Sequence, residues 1–341
     1  MSDKPVMVAR RAVPRIVWPI CALVALLAFN AVWTPGFFSV GLRDMRLTGS
    51  LVDVLSNGSI IVMLAVGMTL VIATRGIDLS VGAVMAIAAA AAAVLTTSAG
   101  APGWVAILAA LGLGVAAGLW NGALVAFVGI QPIVATLILM VAGRGAAQLL
   151  TNGQIVTFSD PVLVAIDSAT VYGIPLPIVL AAGLVTAVAL LARRTGFALM
   201  VESTGESESA ARLAGVPVVS IRLWCYGLCG LCAAFAGLLA ASDIRAADAN
   251  NVGLYLELDA ILAVVLGGTA LAGGKFSIAG SVIGAIFIQA LTTTLLMQSI
   301  NPSAMLAVKA AAVLVVCLML SSRFRFLVRR CCGTFWRRAP Q

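Results

Sequence analysis

Gly67-Met68-Thr69-Leu70-Val71-Ile72-Ala73-Thr74-Arg75-Gly76-Ile77-Asp78-Leu79-Ser80-Val81-Gly82-Ala83 decides how this chain is read. An apolar run meets glycine, arginine and aspartate within a few residues and then resumes. A similar stretch follows in the second half. Gly267-Gly268-Thr269 leads to Gly273-Gly274-Lys275-Phe276-Ser277 and then to Gly284-Ala285. In both, a Gly-x-Thr precedes a basic residue, with its first glycine eight positions ahead. A greasy chain that breaks its helices twice in a similar way, once in each half, has the pattern of a transporter built from internal repeats.

Composition points the same way. The 341 residues are 62% hydrophobic and 10% charged, against roughly 25% charged in a soluble domain. So much apolar surface cannot be hidden from water, so lipid is the solvent for most of the chain. Alanine, leucine, valine and glycine dominate and aromatics are 6%, which suits closely packed membrane helices. The net charge of +8 does not indicate nucleic acid. The basic residues cluster at the two termini and one loop, leaving no basic surface once the helices are inserted. Cys225, Cys229 and Cys232 lie on one apolar stretch, without the second pair a metal site would need. They read as small packing residues, and Cys331 and Cys332 read as incidental thiols.

Apolar runs of about 20 residues predict an all-α integral membrane protein of about ten spans. They fall at 16–33, 52–74, 79–97, 104–128, 132–151, 175–192, 218–242, 257–273, 277–298 and 303–320. The first run follows Lys4, Arg10, Arg11 and Arg15 without a small-residue cleavage site, so it reads as a retained helix. With ten spans both termini share one side, and that side holds sixteen Lys and Arg against three opposite. The excess places both termini in the cytoplasm. The expected organisation is a basic tail over 1–15, a transmembrane domain over 16–320 and a second basic tail over 321–341. Within the 104–128 span, Gly114, Gly118 and Gly122 recur every fourth residue and predict a helix–helix seam.

The one sizeable polar loop covers residues 193–217, on the cytoplasmic side. Ser203-x-x-Glu206 has the form of a capping box, Ser207 to Ala214 can form a short helix, Gly215 is a natural stop and Pro217 prevents continuation. A short capped helix here reads either as a plain surface element or as a docking element for a cytoplasmic partner.

At this point the residues resemble a family: the permease subunits of bacterial ABC importers for monosaccharides, of the ribose, arabinose and xylose class. The likeness rests on Gly67 to Ile72, Gly76 to Gly82, Gln131-Pro132-Ile133-Val134-Ala135-Thr136-Leu137, the loop from Gly205 to Gly215, and Glu257 to Lys275. It runs in consistent order over roughly residues 50–320. Asp243 to Asn251 and Gln148 to Phe158 look like the galactofuranose importer permeases of that class, which usually work beside a second, non-identical permease. Two positions depart from the pattern. Arg75 stands where a small residue is usual, and Glu206-Ser207 replaces a pair that often contains Asn.

The resemblance implies a subunit of the bacterial inner membrane that forms the sugar pathway with a second permease copy or a homologous permease. It implies a periplasmic sugar-binding protein that delivers the solute and a cytoplasmic ABC ATPase that docks on Gly205, Glu206, Ser207, Ala210, Ala211 and Gly215. The chain would need no cofactor of its own, since ATP would be bound by the partner ATPase.

The residues agree with that division of labour. Gly268 to Ser277 is not a phosphate-binding loop: Thr269 stands six positions before Lys275, where glycine is required, and Phe276 occupies the Ser/Thr position. An ion-coupled carrier would place ionisable groups inside the membrane, and here only Arg144, Lys309 and span-end Asp53, Glu257 and Asp259 are candidates. Lys309 reads as snorkelling to the interface. A neutral hydroxyl-rich solute needs amides and hydroxyls, for which Asn57, Asn121, Gln148, Gln289 and Thr292 are candidates with Arg144. The same groups could instead join helices. An ABC permease for an amino acid or nucleoside and an ion-coupled carrier stay as alternative functions. For the glycine segments, tight turns on the cytoplasmic side and half-membrane breaks lining the pathway both stay open.

Overall fold

The structure, a computed structural model, describes residues 17–43, 46–298 and 300–320. The two expected basic tails, over 1–15 and 321–341, lie outside the described residues, as do Cys331 and Cys332. Apolar runs become helices because a buried backbone must satisfy its own polar groups. In α1 (Val17–Trp33), Pro19 sits in the first turn, where its missing N–H breaks no helical bond. A hairpin of β1 (Gly41–Arg43) and β2 (Arg46–Thr48) follows, pairing Leu42 with Leu47. Then come α2 (Ser50–Ala73), α3 (Val81–Thr97), α4 (Gly103–Ala123) with a π turn over Leu124–Val128, and α5 (Pro132–Leu150). A short strand β3 (Val156–Thr157), a surface helix α6 (Pro161–Ser168) and the paired β4 (Thr170–Val171) and β5 (Ile174–Pro175) cover one end. The chain continues through α7 (Leu176–Arg194), α8 (Phe197–Glu206), α9 (Glu208–Leu213) and α10 (Val218–Ile244). Last are β6 (Ala246–Ala247), which pairs with β3, then α11 (Leu256–Leu266), α12 (Ile278–Met297) and α13 (Pro302–Leu320).

The core lies around α2. Residues 61–73 are buried without exception, so this helix is enclosed on every face, unlike the half-apolar helices of a soluble domain. α7, α10, α11 and α12 pack against it, and α3 packs on α10. The outer helices α4, α5 and α7 turn apolar side chains outward instead. Trp104, Leu108, Trp120, Ile138, Val141, Leu149 and Leu190 are all exposed. A continuous greasy exterior of this kind suits lipid or another membrane chain. Six helices among the described residues are long and apolar enough to cross a membrane: α2, α4 with its π turn, α5, α7, α10 and α12.

The expected glycine seam is present. A Cβ on Gly114 would stand 2.6 Å from Gly230 O, and one on Gly122 would stand 3.0 Å from Leu223 Cα. α4 and α10 therefore run antiparallel with their backbones in contact, as small residues permit.

Two expectations need correction. The span expected over 257–273 is an 11-residue helix that stops at Leu266. At 1.5 Å per residue it is about 16 Å long, half of the roughly 30 Å hydrocarbon core. Apolar composition continues through Ala270 and Leu271, but Gly267-Gly268 weakens the helix by about 1 kcal/mol per glycine relative to alanine. Gly268, Gly273 and Gly274 all have positive φ, near 90°, 81° and 91°. The two Gly-x-Thr segments are also not equivalent places. Gly67 and Thr69 lie inside continuous α2, whereas Gly267, Gly268 and Thr269 follow the end of α11.

Candidate functional site

The 193–217 segment differs from its expected form. Ser203 and Glu206 do not open a helix; they sit in the last turn of α8. The cap is Ser207, whose hydroxyl accepts from Ala210 N at 3.3 Å to start α9. Gly215, with φ +82°, turns the chain out of α9, and Pro217 stands immediately before α10. The element is thus a pair of short helices bent at Glu206 and Ser207. Ala211 is buried, while Leu213 is 91% exposed. α9 is tied to α10 by Glu208, whose carboxylate meets Arg222 at 2.6 Å and Arg212 at 2.8 Å. The hydrogen bonds from Arg212 and Arg222 hold the Glu208 carboxyl below the usual glutamate range.

This bent pair rests directly on both glycine segments. A Cβ on Gly205 would collide with Ala73 O and Gly274 N, so only glycine fits that crossing. Gly274 N donates to Ala73 O at 2.9 Å. Arg75 donates from Nε to Ala272 O at 2.9 Å and from a terminal nitrogen to Glu206 O at 2.6 Å. The ends of α2, α8 and the α11–α12 connection therefore meet at one junction. Beside it a cavity of about 300 Å³ opens between α7, α8 and the start of α12, lined by Arg193, Glu202, Phe276 and Ser277 among others.

From that junction residues 77–80 turn inward. Asp78 and Ser80 are each 1% exposed. One Asp78 oxygen accepts from Ser80 N at 2.9 Å and from the Ser80 hydroxyl at 2.6 Å. Asn121 donates to the Ser80 hydroxyl at 2.8 Å. Asn121 Oδ1 and the Tyr226 hydroxyl are buried beside them without a protein partner. A Cβ on Gly67 would stand 2.9 Å from Cys229 Cα, and one on Gly76 would stand 2.5 Å from the Tyr226 hydroxyl. Cys229 is eleven residues along α10, about 16 Å from its start. The first segment is thus a turn at residues 74–76 followed by an unwound stretch that dips into the bundle. A Cβ on Gly82 would stand 2.6 Å from Glu257 Oε2, so α3 and α11 begin beside each other.

The expected pathway residues are not gathered on one surface. Asn121 belongs to the buried cluster just described. Arg144 donates to Ala249 O at 3.1 Å and Val252 O at 2.6 Å, fastening the loop after α10 to α5. Gln148 donates to Asn250 Oδ1 at 2.7 Å in the same place. Thr292 bonds back to Ile288 O on its own helix at 2.9 Å. Gln289 is buried beside Gly58 of α2. Asn57 lines an open cavity. Lys309 does not snorkel: its ammonium meets Asp259 Oδ2 at 2.8 Å, joining α13 to α11.

The cavity at Asn57 holds about 340 Å³ and is lined by Arg46, Thr48, Asp53, Ser56, Asp167 and Asp243 as well. It lies at the far end of α10 from Arg222, about 30 Å along the helix. Burial and the neighbouring Asp243 raise Asp167 above the usual aspartate range. Its carboxylates, amide, hydroxyls and single guanidinium come from four separate parts of the chain. Sequence reasoning missed all but Asn57 as lining residues. The available signal was that polar residues at the ends of α2, α6 and α10 all fall on the side opposite the 193–217 segment.

Residues 50–320 match the model of a family described as branched-chain amino acid transport system / permease component. The chain is 49% identical over 320 residues to the galactofuranose transporter permease protein YtfT of Escherichia coli (strain K12), covering 92% of this chain and 94% of that one. It is 40% identical to the fructose import permease protein FruF of Bifidobacterium longum (strain NCC 2705), covering 89% and 87%. It is 35% identical to the ribose import permease protein RbsC of Escherichia coli (strain K12), covering 87% and 91%. No solved structure matches the chain.

Proposed function

The chain belongs to the permease-component family whose model it matches over residues 50–320, and from that premise we propose that it is the membrane-spanning permease subunit of an ATP-driven importer of monosaccharides. It is a multi-pass protein of the bacterial inner membrane. The observation that carries the reading is the junction at Gly205. A short, bent, capped helix pair on one face presses without intervening side chains on the ends of α2 and of the α11–α12 connection. Any force applied to α8 and α9 reaches two broken segments of the bundle directly.

In this reading a cytoplasmic ABC ATPase docks on Gly205, Glu206, Ser207, Ala210, Ala211 and Gly215, with Leu213 the exposed apolar contact. ATP is hydrolysed by that partner. A periplasmic sugar-binding protein delivers solute at the opposite face, and a second permease, identical or homologous, completes the pathway. In this reading the chain crosses the membrane about ten times, residues 245–266 making one crossing of which α11 covers half, and the excess of Lys and Arg supports both termini on the face of α8 and α9.

The cavity at Asn57 gives the chemistry of the outer face. Asp and Asn side chains accept and donate to vicinal hydroxyls, and Ser56, Thr48 and Arg46 add further donors. Such a lining suits a neutral polyhydroxyl solute. A free amino acid would need a paired site for its carboxylate, and one guanidinium among three carboxylates is poor for it. Galactofuranose is the first sugar to try, because it is named for a relative 49% identical.

The test is ATPase activity of the assembled complex in lipid. Sugar-loaded binding protein should stimulate hydrolysis several-fold more than the empty binding protein does. Stimulation by leucine-loaded or nucleoside-loaded binding protein, with none by sugar, would favour the alternative solutes.

A further inference from the structure

We propose that Arg75 is the strut that transmits movement of the α8–α9 pair to both broken segments, and so sets how much sugar is moved per ATP hydrolysed. The inference rests on the transport reading above. No other described side chain is seen to bridge the same three places. Arg75 stands just beyond the Thr74 cap of α2 and adopts φ +65°, a left-handed conformation uncommon for a non-glycine residue. One guanidinium nitrogen caps the last carbonyl of α8, Glu206 O, at 2.6 Å. A cation at a helix C-terminus is favoured by the unpaired carbonyls there. Nε donates to Ala272 O at 2.9 Å in the α11–α12 connection. The aliphatic stem passes directly over Gly273, where an added Cβ would strike Arg75 Cγ. The planar guanidinium presents several donors in a fixed fork, so it can hold two carbonyls from different segments at a set separation.

Both acceptors are backbone atoms, so the strut reads position rather than side-chain identity. When α8 shifts, Glu206 O moves, and the same rigid group displaces Ala272 O and the end of α2 together. The Gly274 N–Ala73 O hydrogen bond ties the α11–α12 connection to α2, but Gly205 meets both only by contact, which resists compression and not separation. Arg75 supplies the tie that pulls.

The test is the ratio of sugar imported to ATP hydrolysed, in proteoliposomes holding the full complex with binding protein. For Arg75→Ala the ratio should fall at least tenfold. For Arg75→Lys, whose single ammonium reaches one carbonyl well, it should fall less and lie between the two. A purely structural role would lower uptake and hydrolysis together and leave the ratio unmoved. An Arg75→Ala ratio within twofold of wild type would overturn the proposal. So would failure of both variants to assemble, which would make Arg75 a folding residue. Wild-type complex that hydrolyses ATP without importing any sugar would instead overturn the transport reading, and this role with it.

Discussion

Gly274 N donates to Ala73 O at 2.9 Å, so the connection after α11 is hydrogen-bonded to the C-terminal end of α2, just over two hundred residues away. That bond leaves a gap into which only the Cα of Gly205 fits. Gly205→Val should therefore force α8 away from the bundle. The expected outcome is insertion into the membrane at normal levels with sugar uptake reduced at least tenfold. Ala211→Phe, at a buried position of α9, should do the same. Membrane fractionation and uptake measured side by side check both.

The buried Asp78 works chiefly as an acceptor for Ser80 N and the Ser80 hydroxyl. Asp78→Asn keeps an acceptor oxygen in place and should lower the melting temperature little. Asp78→Ala leaves the Ser80 N–H unpaired in the interior, a loss of about 1–3 kcal/mol. Thermal unfolding of the two variants in one detergent measures the difference. Equal melting temperatures would contradict this role.

Lys309 and Asp259 are partly buried and 2.8 Å apart. Removing one partner of such a pair strands the other charge at a cost of about 3–5 kcal/mol. Lys309→Met and Asp259→Leu should each destabilise strongly, and the double variant should recover most of the loss. A double variant as unstable as the sum of the singles would show that the pair does not couple.

Glu208 gives a pH dependence with a definite sign. Its carboxyl is held below its ordinary value of 4.5 by Arg212 and Arg222. The stabilisation is therefore present above the ordinary value and is lost as pH falls through the lowered one. Wild type should melt higher than Glu208→Gln at pH 7, by a small margin because the pair is partly exposed. The margin should shrink as pH falls below that ordinary value of 4.5 and be lost on further acidification. A margin that grows on acidification would contradict the assignment.

How much of this was readable beforehand depends on the range of the interaction. Helix positions follow from apolar runs, and each expected span overlaps a helix. The α4–α10 seam was legible because Gly114, Gly118 and Gly122 share one face. The early end of α11 was not, because Ala270, Leu271 and Ala272 keep the apolar average high beyond a stop made only by glycine φ angles. The split of 203–217 was misread for a local reason: both Ser203 and Ser207 are credible caps, and Ser203 lost to the continuing α8. Pairings across the chain were invisible. Arg75 finds Ala272 and Lys309 finds Asp259 only after the bundle has formed. The cavity of Arg46, Asn57, Asp167 and Asp243 likewise exists only once separate parts of the chain converge.

The most direct test of ATP-driven sugar import is uptake of labelled galactofuranose into proteoliposomes. They would contain this chain with its companion permease and ATPase, and sugar-binding protein would be supplied outside. The expected result is accumulation that needs both ATP on the α8–α9 face and the binding protein, and that is unaffected by collapsing the proton gradient. Accumulation driven by a proton or sodium gradient without ATP would contradict it.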